Sequence, residues 1–223
     1  MNVDTGLSTR FVTDRNAHQV GLLVTVAGER PPVLGAQNVT VELHVRHGGV
    51  AGVIFYQRIP IEEPEENRWI IRLGELSGTS PLQLGVTLFV NDRDERGAVE
   101  VAEVRVTGDV LTAQGVEHRV VTTPVVATLD GANHVEPSVE RTLIRLQATQ
   151  ARADAITQAN LGHFDSAAHT LRVARDSLAL YGTDAPIAEA MEDLATESAR
   201  LAEREHDPSD HIARRKPEDG KGR

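Results

Sequence analysis

The sequence contains no cysteine, which excludes disulfides, thiolate nucleophiles, cysteine-ligated zinc and iron–sulfur clusters. Aromatic residues make up only 3% of the 223 residues, with one Trp, two Tyr and four Phe. A core must therefore be built from Val, Leu, Ile and Ala, and few rings are on hand to stack on bases or sugars. Positive charge is also scarce: 23 Lys and Arg stand against 33 Asp and Glu, a formal net charge of −10. A phosphate backbone is repelled on average, which argues against a nucleic-acid partner. The one dense basic run, Arg214, Arg215 and Lys216, lies in a polar tail. No window approaches the ~18 uninterrupted apolar residues of a transmembrane helix. The opening stretch MNVDTGLSTRFVTDRNAHQ lacks the apolar core of a signal peptide. The expectation is a cytoplasmic protein with no membrane association.

What is present looks globular. Apolar residues account for 40% and charged residues for 25%, and the length suffices for one large domain or two small ones. The chain divides near residue 131: before it the apolar pattern has period two, after it a helical period. In residues 38–46, Val39, Val41, Leu43 and Val45 alternate with Thr40, Glu42, His44 and Arg46, as a half-buried antiparallel strand requires. Residues 82–90 repeat the pattern with Leu82, Leu84, Val86, Leu88 and Val90. Further strands are expected over 10–13, 19–27, 52–59, 68–73, 99–107 and 118–129. The apolar phase slips between Val101 and Val104, which predicts a β-bulge. Pro124 must occupy an edge or a break, because it has no N–H for a ladder. Residues 62–67 and 91–97 read as hairpin connections, and the Gly/Pro segment 28–37 as a loop or junction.

Three helices are expected after residue 136. The first spans about 137–161, with Val139, Leu143, Leu146 and Ile156 on its apolar stripe and Gly162 ending it. The second spans about 166–181, capped by Asp165 and closed by Gly182, with Ala167, Leu171, Ala174 and Leu178 facing inward. The third starts after Asp184 with Pro186 in its first turn and carries Ile187, Met191, Leu194 and Leu201. The turn NLGHFDSAAHTL is like that inside a tetratricopeptide repeat, but one hairpin makes no solenoid. Residues 206–223 form a polar tail expected to be disordered. The fold class is therefore α+β: an antiparallel β-sandwich of about eight strands over 1–131, then a three-helix bundle over 132–205.

No motif carries chemistry. There is no P-loop, no dinucleotide-binding Gly-x-Gly-x-x-Gly opening a helix and no His-Glu-x-x-His. The nearest approach to a nucleophile elbow, Gly78-Thr79-Ser80-Pro81, lacks the second glycine, and Pro81 has no N–H to offer an oxyanion. The loop that begins at Asp92 and ends at Glu103 puts Asp92, Asp94, Gly97 and Glu103 at EF-hand spacing, but Arg96 sits inside the would-be cage. A divalent-cation site there is the alternative functional reading; a solvated turn is the simpler one. Glu62, Glu63, Glu65 and Glu66 form an acidic run with nothing to split their pKa values. His44 and His47 point to opposite faces of a strand, and His163 and His169 flank a helix start, so no metal set is expected. No catalytic, cofactor-binding or metal residue is assigned, and no cofactor is implied. The helix stripes read as core, with a groove for a partner helix as the other option.

Three stretches taken in order carry a resemblance: RFVTDRNAHQVGLLV; then NVTVELHVR, RWIIRLGELSGTSPLQLGVTLFV, VAEVRV and GVEHRVVTTPVVATLDG; then VEPSVERTLIRLQATQARADAITQANLGHFDSAAHTLRVA. The set resembles the flanking parts of bacterial von Willebrand factor A (VWA) domain proteins of the Ca-activated chloride channel-like group. That resemblance implies a strand segment, an inserted VWA domain, the remaining sandwich strands and a helical hairpin. Here GERPP runs straight into VLGAQNVTVELHVR, so the VWA module is missing at the Gly/Pro junction. The metal-ion-dependent adhesion motif Asp-x-Ser-x-Ser is missing too; Asp207-Pro208-Ser209-Asp210-His211 lacks its last serine. The expectation is a non-enzymatic scaffold or protein–protein interaction module. It would have a protein partner and an oligomeric state that the sequence leaves open. Candidate surfaces are the second and third helices and the exposed sandwich edges.

Overall fold

The computed structural model describes residues 2–12, 17–27, 35–46, 48–57, 59–76, 81–91, 97–179 and 185–205; within these, the side chains of 2, 8–12, 185, 186, 204 and 205 are not described. The chain forms two compact units, Met1–Leu146 and Gln147–Arg223. The boundary falls inside a helix, fifteen residues beyond the point where strand periodicity stops, because the first turns of that helix pack with the strands.

Among the described residues the first unit holds nine strands: β1 (Asn2–Val12), β2 (Ala17–Ala27), β3 (Gly35–Val45), β4 (Val50–Phe55), β5 (Ile61–Glu65), β6 (Arg68–Leu76), β7 (Leu82–Asn91), β8 (Gly97–Thr112) and β9 (Gly115–Leu129). They form two antiparallel sheets, β1-β2-β7-β4 and β5-β6-β3-β8-β9. Between them lies one apolar core, filled by the alternating residues expected of β3 (Val39, Val41, Leu43, Val45) and by Leu84, Val86, Leu88 and Val90 of β7. The α+β class, with helices following the strands, is as the periodicity indicates.

Local irregularities follow from particular residues. The pairing of β8 with β9 slips between Glu100 and Ala102, so Val101 is the extra residue; Val101 and Ala102 are both buried. That slip is the predicted bulge. A second irregularity interrupts β3 near Asn38, whose φ of 53° lies in the left-handed region that Asn tolerates better than most residues. Pro124 sits in β9, the end strand of its sheet among the described strands, where a residue without an N–H is tolerated. Residues 62–65 are not a turn: they belong to β5, and only Glu66 and Asn67 make the connection, Asn67 at φ 64°. Arg68 and Arg72, four residues apart on one face of β6, pair with Glu65 and Glu62 along a ladder that composition alone reads as a loop.

A third layer covers the outer face of the four-stranded sheet. Helix α1 (Pro137–Asn160) lays Val139 and Leu143 against Leu23 and Tyr56. Two glycines make room for it: a Cβ on Gly6 would lie 2.5 Å from Val139 Cγ2, and one on Gly85 would lie 2.9 Å from Leu146 Cδ1 and 3.0 Å from Leu143 Cδ2. This cover accounts for the burial of Leu23, which points away from the core filled by its neighbours Leu22 and Val24. At the far end of the same strand, buried His18 accepts a hydrogen bond at Nε2 from the Gly131 N–H (3.3 Å), tying the exit of β9 to β2.

In the second unit, the remainder of α1 is followed by α2 (Phe164–Leu178) and α3 (Ala185–Glu205). Gly162, at φ 77°, ends α1 in a Schellman motif: its N–H donates to the Ala159 carbonyl (2.8 Å) and the His163 N–H to that of Gln158 (2.9 Å). The α2 N-cap is His163, with no side-chain cap bond, and Asp165 lies instead in the first turn. There its charge still meets the positive end of the helix dipole. The Ile156 side chain, expected inside, is 55% exposed; Ala148, Ala151 and Ala155 form the buried stripe. Gly182 and residues 206–223 lie outside the described residues.

Candidate functional site

The sequence candidates divide into those within the described residues and those outside them. Ser80, Asp92, Asp94, Arg96, His47, Asp207, Ser209, His211 and the basic run 214–216 lie outside the described residues. Glu103, the last position of the proposed cation loop, stands in β8 beside Pro124 of β9, and its carboxylate accepts a hydrogen bond from Arg46 Nη2 (3.1 Å). A ligand role would first have to break that pair. The acidic run is likewise engaged: Arg72 donates through Nε and Nη2 to Glu62 (2.8 and 3.0 Å), and Arg68 reaches both Glu42 (3.1 Å) and Glu65 (3.5 Å). The Arg72 bonds hold the Glu62 carboxyl below its ordinary pKa, opposite to what a general acid needs. His44 lies between Arg68 and Glu103 on the same sheet face. His163 and His169 are exposed. Among the described residues no group of three His, Asp or Glu could hold a metal ion. No helix among them is long and apolar enough to cross a membrane.

These pairs tile the outer face of the five-stranded sheet. Cross-strand register puts Glu62, Ile70, Glu42, Arg105 and Thr122 in one row, and Arg68, His44, Glu103 and Pro124 in the next. Glu42 stands directly across from Arg105, and the other pairs run diagonally between neighbouring strands, Arg72 to Glu62, Arg68 to Glu42 and Arg46 to Glu103, which is a sheet surface stabilised by cross-strand pairing. At its margin Asp109 accepts from Asn38 Nδ2 (2.8 Å) and pairs with His118 Nδ1 (2.9 Å). The Asn38 bond, then the His118 bond, hold the Asp109 carboxyl below its ordinary pKa.

The exception to this polar pattern is β9. It ends the five-stranded sheet and, among the described strands, bonds only to β8. Along it Val116, Val120 and Val126 are exposed on the outward face, Val116 at 68%. Sequence alternation alone ranks this strand with the others; its edge position is set by pairing order. In the helical unit the apolar stripes are core, not groove: Ala167, Ala168, Leu171, Ala174 and Leu178 of α2 and Ile187 and Leu194 of α3 are buried. Ser198 Oγ donates to the Ala168 carbonyl (2.9 Å), and Arg152 bridges Asp193 (3.2 Å) and Glu197 (3.1 Å).

The architecture defines a class: a two-sheet antiparallel sandwich with C-terminal helices. The sequence matches no protein-family model and no curated protein. Among solved structures it is similar to a von Willebrand factor type A protein from Catenulispora acidiphila (13% identity, TM-score 0.40, covering 74% of this chain and 37% of that one). It is also similar to domains D2 and D3 of the major pilin SpaD from Corynebacterium diphtheriae (9% identity, TM-score 0.30, 57% and 52% covered). A further likeness is to AggA, the major subunit of aggregative adherence fimbriae type I from Escherichia coli (12% identity, TM-score 0.31, 57% and 95% covered). The chain spans little more than a third of the length of the first of these. Identities and TM-scores this low assign no function.

Proposed function

We propose that this chain is a non-catalytic scaffold or protein–protein interaction module, acting in the cytoplasm and docking a protein partner along the open edge of β9. The observation that carries the reading is that edge: a 15-residue strand that, among the described strands, bonds only to β8 and bears exposed valines on its outward face. An edge of this kind offers unpaired N–H and C=O groups and alternating apolar contacts to an incoming strand. The ordered sequence resemblance adds support for a relation to the flanking regions of VWA-domain proteins, here without the metal-ion-dependent adhesion site.

The test is differential capture. Tagged wild-type chain and a Val120→Pro variant, which blocks the edge with a ring and no N–H, are compared as baits. A third bait carries Arg172→Ala on α2. The reading predicts partners retained by wild type and R172A and lost by V120P. Equal recovery by all three baits, or a wild-type chain that binds nothing in capture and size-exclusion experiments, would refute it.

A further inference from the structure

The exposed half of β9 is its own complement. Residues Val116, Glu117, His118, Arg119 and Val120 read as a mirror pattern about His118: valine answers valine, and acid answers base. Within one chain Arg119 Nη2 contacts Glu117 at 2.8 Å, so both charges lie on one face of the strand, while Val116, His118 and Val120 share the other. A second β9 laid antiparallel, with a two-fold axis at His118, sets Glu117 opposite Arg119 of the second copy and Arg119 opposite its Glu117. It also sets each Val116 against a Val120. Every opposed pair in that register is favourable or neutral, and the two-fold relation makes the contact isologous.

Edge strands are commonly blunted by proline or by charge of one sign. Pro124 does this for the second half of β9. Over 116–120 the charges are of mixed sign and placed to attract a second copy, not repel it. Val116 and Val120 there are exposed at 68% and 47%. The neighbouring turn sets the limit of the contact, since β9 begins at Gly115. From the geometry on this edge, and resting on the interaction-module reading above, we propose that the partner is a second copy of this chain. The two β9 strands join about His118 to make one continuous ten-stranded sheet. So short a seam buries less than the roughly 1,200 Å² of a stable interface, so the dimer is weak and concentration-dependent.

The test uses the full chain in sedimentation velocity from low micromolar to high micromolar concentration, with circular dichroism checking that each variant folds. Glu117→Arg and Arg119→Glu each place like charges across the seam and should weaken association at least tenfold, equivalent to ~1.4 kcal/mol. The double variant E117R/R119E restores opposite charges and should recover the wild-type constant. Because the sequence has no cysteine, His118→Cys gives a clean register probe: opposed Cα atoms in an antiparallel pair are within disulfide reach. Mild oxidation should cross-link H118C into dimers and leave Val126→Cys monomeric. A chain monomeric throughout the range overturns the proposal, as does a double variant as weak as the single ones, or equal cross-linking of H118C and V126C. If association fails while V120P still loses a captured protein, only the second-copy assignment falls and the module reading stands.

Discussion

Replacing Gly85 with alanine is expected to destabilise the sandwich unit, although glycine inside a strand is ordinarily a liability. Gly85 lies in β7 opposite Leu23, its N–H donates to Gln57 Oε1 (3.2 Å), and its carbonyl accepts from the Tyr56 N–H (3.0 Å), so the backbone has little freedom to retreat. An added Cβ meets Leu146 Cδ1 at 2.9 Å, Leu143 Cδ2 at 3.0 Å and Tyr56 Cδ2 at 3.1 Å, all inside ordinary carbon–carbon contact. The leucine methyls can swing, but the Tyr56 ring is held by its hydroxyl on Thr87 Oγ1 (2.8 Å). Overpacking of this kind costs ~1–3 kcal/mol. Restricting the unfolded chain returns ~0.4–1 kcal/mol, so the net loss is about 1–2 kcal/mol, or roughly 2–6 °C in Tm for a unit of this size. Urea denaturation gives the number, and a double-mutant cycle gives the cause. Leu143→Ala alone should cost ~2–5 kcal/mol, but in the G85A background it should cost less by ~0.5 kcal/mol or more, because the new methyl occupies part of the space. Wild-type stability for G85A, or strict additivity with L143A, would show that α1 does not press on this glycine.

Three further outcomes follow from single contacts. Gly162→Ala forces a Cβ into the left-handed residue that ends α1 and should lower helical-unit stability by ~1 kcal/mol, read by the 222 nm thermal transition. Tyr56→Phe removes the buried hydroxyl bond to Thr87 and should cost ~0.5–1.5 kcal/mol in urea; an unchanged midpoint would mean the bond is not formed in solution. Glu62 is held below its ordinary pKa by Arg72, Asp109 by Asn38 and then His118, and Asp130 by His134 and then the Ala132 N–H. Depressed folded-state pKa values contribute stability that is present above the unfolded value near ~4 and lost as pH falls through the folded one. The denaturation midpoint should therefore fall as pH drops below roughly 4, and Glu62→Gln should flatten part of that fall.

What the chain's own sequence determined is whatever repeats along it. The two-residue period of β3 and β7 sorts core from solvent, the phase slip at Val101 marks the bulge, and Gly162 ends α1, because each is a local relation among neighbours. Pro124 narrowed its strand to an edge or a break, since a missing N–H admits few other places, and pairing order decided for the edge. The third layer left a trace as well: Leu22 and Leu23 are consecutive and both buried, which a strand covered on one face only would not allow. What packs over Leu23 was not legible, because Val139 and Leu143 lie more than a hundred residues away. The membership of residues 62–65 in β5 needed Arg68 and Arg72 beside them, and the burial of Ala148, Ala151 and Ala155 in place of Ile156 needed the helix to be placed. Most consequential for function, only tertiary pairing made β9 the end of its sheet. The alternation that names a strand says nothing about how many neighbours it has, and among the described strands only the pairing order shows β8 as the one strand bonded to β9.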